Sequence, residues 1–240
     1  MAGIFVTGTD TGVGKTAVAC GILGAMRERG VRVAGFKPVE SGFSGPETAW
    51  PNDAAALNAA AGMRLRREEV VPYVLREPLA PAVGAQRESV LLDLKVLDRA
   101  YESLAARSQL VVVEGAGGLA VPLLRDPWFT MADLAFTWGL PLVVVCRPGL
   151  GTINHTVLTV EYARRKGVSI LGLVVNGFPD DPGVAERTNP EVIAAMTGVP
   201  LLGVLPKRPD VDIEAGRWQG KGYGGEQFLQ DKSLFAADLD

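Results

Sequence analysis

The chain has 240 residues, 48% of them hydrophobic, with 24 lysines and arginines against 27 aspartates and glutamates, a net charge of −3, one histidine and two cysteines. A chain this long buries roughly 70–75% of the surface its unfolded form exposes, enough for one core without disulfide or metal staples, and the near-balance of charge argues against nucleic acid or anionic lipid as a partner. The single histidine, His155, excludes metal centres built on two or more imidazoles.

The first residues, MAGIFVTGTD, carry no basic stretch ahead of their apolar run and meet an acid at Asp10, so they predict a first strand at 4–7 rather than a secretory signal. Further short, nearly continuous β-branched runs follow at 32–36, 110–113, 142–146, 171–175 and 201–205. Strands apolar on both faces belong to a parallel sheet covered by helices on each side. Between them, Val18, Ala19, Ile22, Leu23 and Met26 fall on one face of a helix over 16–29, stopped by Gly30. Val90, Leu94, Leu97, Tyr101 and Leu104 predict a second over 89–107, and Ile153, Val157 and Val160 a third ahead of Gly167. Asn189 as cap, Pro190 at the first helical position and Gly198 past the end bracket a short fourth. The alternation predicts an α/β fold, P-loop NTPase-like and doubly wound, with a mainly parallel sheet flanked by helices and one domain over 1–240. Residues 41–52 read as a ligand loop, 207–225 as loop-rich and 226–240 as a short C-terminal helix or tail. Cys20 and Cys146 sit in apolar runs and read as core residues of a reduced compartment. No run reaches the ~18–20 apolar residues that span a bilayer, so a soluble, cytoplasmic protein is expected, with no membrane and no nucleic acid among its partners.

Three motifs carry chemistry. In Gly8-Thr9-Asp10-Thr11-Gly12-Val13-Gly14-Lys15-Thr16 a strand ends, a glycine-rich loop follows and a helix opens. Such a loop presents backbone N–H groups and the positive helix end to phosphate, with Lys15 adding a point charge and the Thr16 hydroxyl a ligand for Mg2+. It departs from the strict spacing, because Thr9 stands at the first glycine position and Gly8 lies one residue early. In Val112-Val113-Glu114-Gly115-Ala116-Gly117-Gly118 an acid ends a buried strand, where P-loop proteins hold magnesium; the lesser alternative, read alone, is a solvated strand-end carboxylate. In Gly35-Phe36-Lys37-Pro38-Val39-Glu40-Ser41-Gly42 a lysine ends the second strand and points toward the crevice above it, where a cation stabilises a transferring phosphoryl group; alone, it reads as a snorkelling side chain. Asn52-Asp53 before AAALNAAAG reads as a helix cap.

Together GTDTGVGKT, GFKPVESG, the acid of NDAAAL, VEGAGG, LGTINH, VVNGF and GVLPK resemble the dethiobiotin synthetase family from residue 3 to about residue 208. One departure is Gly12, where many members of that family have glutamate, which leaves the loop less constrained. The resemblance implies an ATP-dependent cyclo-ligase: one amine of 7,8-diaminononanoate takes up CO2 as a carbamate, ATP phosphorylates it to a carbamic-phosphoric anhydride, and the second amine displaces phosphate. It assigns Lys37 and Lys15 as catalytic, and Thr16, Asp53 and Glu114 to Mg2+. ATP would contact Gly12, Val13, Gly14, Lys15, Thr16, Ala17, Asp53, Glu114, Gly115, Ala116 and Gly117, with Asn176, Gly177, Pro206, Lys207 and Arg208 around the base. Thr11, Ser41 and Gly118 would lie beside the diamine, and Gly151, Thr152, Ile153 and Asn154 would reach it from the neighbouring subunit of a homodimer with sites at its interface. His155 reads as a structural or interface residue. The alternative is an ATPase switch of the partition or division-site type. Those proteins carry an additional lysine near the start of the loop, where this chain has Thr9 and Asp10. An amidoligase of the cobyrinate type would need a further glutaminase domain.

Overall fold

A computed structural model describes residues 2–208. The expected tail helix within 226–240 and most of the 207–225 loop lie outside the described residues. In chain order the elements are β1 (Ala2–Gly8), α1 (Lys15–Glu28), β2 (Val33–Phe36), β3 (Val39–Ser41), α2 (Asn52–Ala61), α3 (Arg67–Val70), β4 (Tyr73–Leu75), α4 (Pro81–Arg87) and α5 (Leu94–Ala105). There follow β5 (Leu110–Gly118), β6 (Pro122–Leu124), β7 (Phe129–Thr130), α6 (Met131–Thr137), β8 (Leu142–Cys146), α7 (Thr152–Arg165), β9 (Ile170–Phe178), α8 (Val184–Thr197) and β10 (Leu201–Pro206).

The apolar strands form one parallel sheet in the order β10-β9-β8-β1-β5-β2. Because successive side chains alternate across a strand, each strand feeds two cores. Ile4, Val6, Val112, Val143 and Val145 pack under Val18, Ile22 and Leu23 of α1 and Leu57 of α2. Phe5, Phe36, Val111, Val113 and Val144 face Leu97 and Leu104 of α5, Met131 and Leu134 of α6, and Val160 of α7. Each fully buried Leu, Val or Phe contributes about 1.5–3 kcal/mol, so the sheet is a stiff platform. Its β1, β2 and β5 strands end at the same edge, where open α/β sheets bind ligands. Among the described residues no helix is long and apolar enough to cross a membrane.

Three helix starts differ from the sequence reading, and β5 runs on through Glu114 to Gly118 rather than ending at 113, because the glycines that follow continue the parallel pairing with β1. The second helix starts at Leu94, not near 89, because Ser89 takes a left-handed φ of 56° that breaks it off from α4 and the Asp93 side chain then caps it, accepting from Lys95 N–H at 2.9 Å. Helix α8 starts at Val184, so Pro190 lies inside it and Asn189 is no cap; the buried Asn189 amide instead donates to the carbonyls of Pro148 (2.8 Å) and Gly149 (3.2 Å). At α2 the cap is Pro51, which offers no side-chain acceptor, and Asp53 lies within the first turn.

Candidate active site

The strand edge opens into a cleft of about 1060 Å³. Its floor is the loop between β1 and α1. Thr9 N–H donates to Val145 O at 2.9 Å and the Arg147 guanidinium to Thr11 O at 2.9 Å, tying the loop to β8 and the residue that follows it. These ties hold the segment around Gly12, whose φ of 71° suits glycine. Gly14, at φ 91°, is the cap of α1, and a Cβ there would fall 2.0 Å from Asn176 Nδ2, the amide that donates to Val13 O at 2.9 Å. Glycine is therefore required by both backbone and space.

Four charged side chains meet above this loop. The Lys37 ammonium, buried at the end of β2, lies 2.6 Å from Asp53 Oδ2 and 2.7 Å from Glu114 Oε1. Thr16 Oγ1 stands 3.0 Å from Asp53 Oδ1 and 2.8 Å from Glu114 Oε1. Lys15 curls back over the loop, its Nζ 3.1 Å from Asp10 O. Burial, and then the Lys37 charge, lower the Lys15 pKa. Burial alone would lower that of Lys37 too, but Asp53, Glu114 and Glu40 overcome it and hold the ammonium well above its usual range. Glu114 is pushed up by burial against the pull of Lys37. Burial would also raise Asp53, yet Lys37 and Thr16 hold it low.

Two buried oxygens at the site lack a hydrogen-bond partner: Glu114 Oε2 and Ser41 Oγ. Buried polar atoms are rarely left so, and both lie on residues lining the cleft. Thr16, Asp53 and Glu114 form a hard-oxygen donor set of the kind that would hold magnesium. The unsatisfied Glu114 Oε2 fits that use. Among the described residues no three His, Cys, Asp or Glu side chains cluster as a metal cage.

Of the residues assigned to the site from sequence, Thr11, Gly12, Gly14, Lys15, Thr16, Ala17, Lys37, Ser41, Asp53, Glu114, Ala116, Gly117, Asn176, Gly177, Lys207 and Arg208 line this one cleft. Val13 lies beneath the loop, 2% exposed, its carbonyl taken by Asn176. Gly115 sits where a Cβ would meet the Phe5 ring at 2.7 Å, Gly118 pairs with Gly8 at the strand ends, and Pro206 ends β10. Gly151, Thr152, Ile153 and Asn154 open α7 outside the cleft, as does the exposed His155.

The sequence reading of Asp53 as a plain cap, and of Lys37 alone as a snorkelling residue, gives way to a buried ion pair. Two features escaped that reading. Glu40 replaces the missing cap of α2: its Oε1 accepts from Asp53 N–H and its Oε2 from Ala54 N–H, both at 3.0 Å. The only hint was a helix beginning at Pro51. The second feature is an apolar wall of Val39, Phe43 and residues 78–81 facing the charges across the cleft.

A glycine-rich loop at a helix start, a buried acid within a central strand and a buried lysine on a doubly wound parallel sheet define a P-loop nucleoside triphosphatase fold. Solved structures agree: the septum site-determining protein MinD of Pyrococcus horikoshii complexed with Mg-ADP has a TM-score of 0.57 at 16% identity, covering 95% of this chain and 92% of that one. A ParA family ATPase from Chlorobium tepidum gives 0.55 at 13%, covering 89% and 90%. A family model described as an AAA domain matches residues 2–215. Sequence relatives are more specific. The ATP-dependent dethiobiotin synthetase BioD of Bacillus licheniformis is 45% identical over 212 residues, 88% of each chain, and that of Anaeromyxobacter dehalogenans 48% over 213 residues, 88% of this chain and 92% of that one. The chain belongs to the ATP-dependent dethiobiotin synthetase family, and is an ATP-dependent cyclo-ligase.

Proposed function

We propose that the chain makes dethiobiotin from 7,8-diaminononanoate, CO2 and ATP. The observation that carries the reading is the Lys37 ammonium fixed between Asp53 and Glu114, across one cleft from Lys15 and an apolar wall. An amine nitrogen adds to CO2 and loses a proton, giving a carbamate. A carbamate oxygen attacks the γ-phosphorus and ADP leaves. The second amine attacks the carbamoyl carbon and phosphate leaves, closing the ring.

Each step develops or moves negative charge, so positioning and fixed cations supply most of the acceleration. Lys37 commits two N–H groups to carboxylates and has a third for a carbamate or γ-phosphoryl oxygen. Lys15 and the loop amides would receive the other phosphate oxygens, and Asn176, Gly177, Pro206, Lys207 and Arg208 the base. Thr16, Asp53 and Glu114 would hold Mg2+, which neutralises phosphate charge when bound. Ser41 Oγ, buried without a partner, suits an amine of the diamine, and the wall of Val39, Phe43 and residues 78–81 suits its alkyl chain.

Gly151, Thr152, Ile153 and Asn154 would enter this site from a second copy in a homodimer, presenting N–H groups at the start of α7 to the substrate carboxylate. Their position outside this chain's cleft and the exposed Leu150 beside them support that assignment. Two free cysteines fit a cytoplasmic setting. With ATP, Mg2+, bicarbonate and the diamine, ADP release should depend on the diamine and a cyclic urea should accumulate. ATP turnover indifferent to the diamine would sink the reading.

A further inference from the structure

The same turn of α2 that carries Asp53 lacks a cap of its own, since Pro51 has no side-chain acceptor. Glu40 supplies one from another element. It lies on β3, 6% exposed, between buried Val39 and the partly buried Ser41, and its two oxygens take separate backbone N–H groups, those of Asp53 and Ala54. A bidentate acceptor fixes both the position and the rotation of that turn, as a single bond does not. The turn's rotation decides where the Asp53 carboxylate points, and it points at Lys37 Nζ (2.6 Å) and Thr16 Oγ1 (3.0 Å). We infer that Glu40 is a positioning residue: by clamping the first turn of α2 it sets the Asp53 carboxylate for the metal and phosphates of ATP, without touching either.

The inference rests on the reading of Asp53 as a metal-side carboxylate, and a double-mutant cycle separates the two. Glu40→Gln keeps the length but turns one acceptor into an N–H donor facing another N–H, so half the clamp is lost. The readout is a binding ratio: the dissociation constant for ADP in EDTA divided by that in saturating Mg2+, measured by calorimetry at pH 8. Removing a partner that orients a metal ligand typically costs tenfold or more in metal affinity, so E40Q should shrink the ratio by about tenfold while leaving ADP affinity in EDTA within about twofold. Asp53→Asn should shrink the ratio at least as far, and the double variant no further than D53N alone. Slowed exchange of the Asp53 and Ala54 amides in the wild type, lost in E40Q, would place the effect in that turn, and unchanged exchange there would overturn the clamp. An unchanged ratio in E40Q, or losses that simply add in the double variant, would overturn the Glu40 inference alone. A D53N protein with the wild-type ratio would overturn the Asp53 reading and the inference with it.

Discussion

Replacing Lys37 with methionine keeps the length and most of the stem while deleting the charge, and its consequence can be worked from the burial of its partners. The Asp53 side chain is 27% exposed and can turn toward water, whereas that of Glu114 is 1% exposed and cannot. Losing one partner of a buried ion pair typically costs about 3–5 kcal/mol. The stranded carboxylate has one escape, which is to take a proton. From the ordinary glutamate value of 4.5, and at about 1.4 kcal/mol per pH unit, that escape costs about 5 kcal/mol at pH 8 and under about 1 kcal/mol at pH 5. K37M should therefore be destabilised by roughly 3–5 kcal/mol at pH 8, and by far less at pH 5.

The sign follows from which proteins titrate in that window. In the wild type Lys37 has a raised pKa, so its contribution is complete below the unfolded value of 10.5 and is lost only above that. Asp53 has a lowered one, so its contribution is present above the unfolded value of 3.8 and fades as pH falls below it. Those two are constant from pH 5 to 8, whereas burial raises Glu40 to about 7 and raises Glu114 as well, both against the pull of Lys37. Losing Lys37 raises both further, so the gap between wild type and variant widens as pH rises through the window. Guanidinium unfolding of the nucleotide-free proteins at pH 5, 6, 7 and 8 measures the gap. Millimolar Mg2+ should recover part of the loss at pH 8 by standing in for the ammonium. An equal gap at pH 5 and pH 8, or none at pH 8, would refute the electrostatic account of the site.

Two further substitutions probe the floor and the wall of the cleft. Gly14→Ala forces a left-handed φ on a side-chain-bearing residue, a cost of about 1–3 kcal/mol, and drives its Cβ against the Asn176 amide. Calorimetry should find at least a tenfold loss of nucleotide affinity, and wild-type affinity would show that the loop shifts freely. Ser41→Ala removes a buried hydroxyl that has no partner, so Tm should hold or rise while KM for the diamine increases about three- to tenfold, the worth of one hydrogen bond. A lowered Tm with unchanged KM would place the Ser41 hydroxyl in the protein's own bonding.

What the sequence disclosed and what it withheld divide along physical lines. The β1 strand, its loop and α1 were legible because hydrophobic period, glycines and the Gly14-Lys15-Thr16 run agree within one short segment. Glu114 was legible because an acid ends a run of buried valines. The meeting of Lys37 with Asp53 was not, because they lie 16 positions apart across a short strand and a polar loop, and only the folded chain brings α2 over β2. Asp53 looked like a cap because Asn-Asp ahead of alanines is what caps look like. The true acceptor, Glu40, comes from β3, a three-residue strand too short to leave a period. Pro190 misled in the opposite way. Proline at a first helical turn is the common case, and here the helix runs through it, with Asn189 turned to hold the Pro148 and Gly149 carbonyls.

The sheet and loop shared with MinD and ParA proteins at 12–20% identity show a common fold and nothing finer. The difference between a switch and a ligase lies in how the groups around the phosphates are held. A switch must let the γ-phosphate decide the position of some element, so that element has to be loosely determined without it. Here the opposite holds among the described residues. Lys37 follows β2, whose four residues are all buried, and its own N–H is bonded to Val70 O at 2.8 Å. Glu114 lies within β5, and Asp53 sits on a turn clamped by Glu40. Charges fixed before the ligand arrives would need no reorganisation as charge moves along the proposed path from carbamate to anhydride to phosphate, which is the condition under which electrostatic catalysis is most effective.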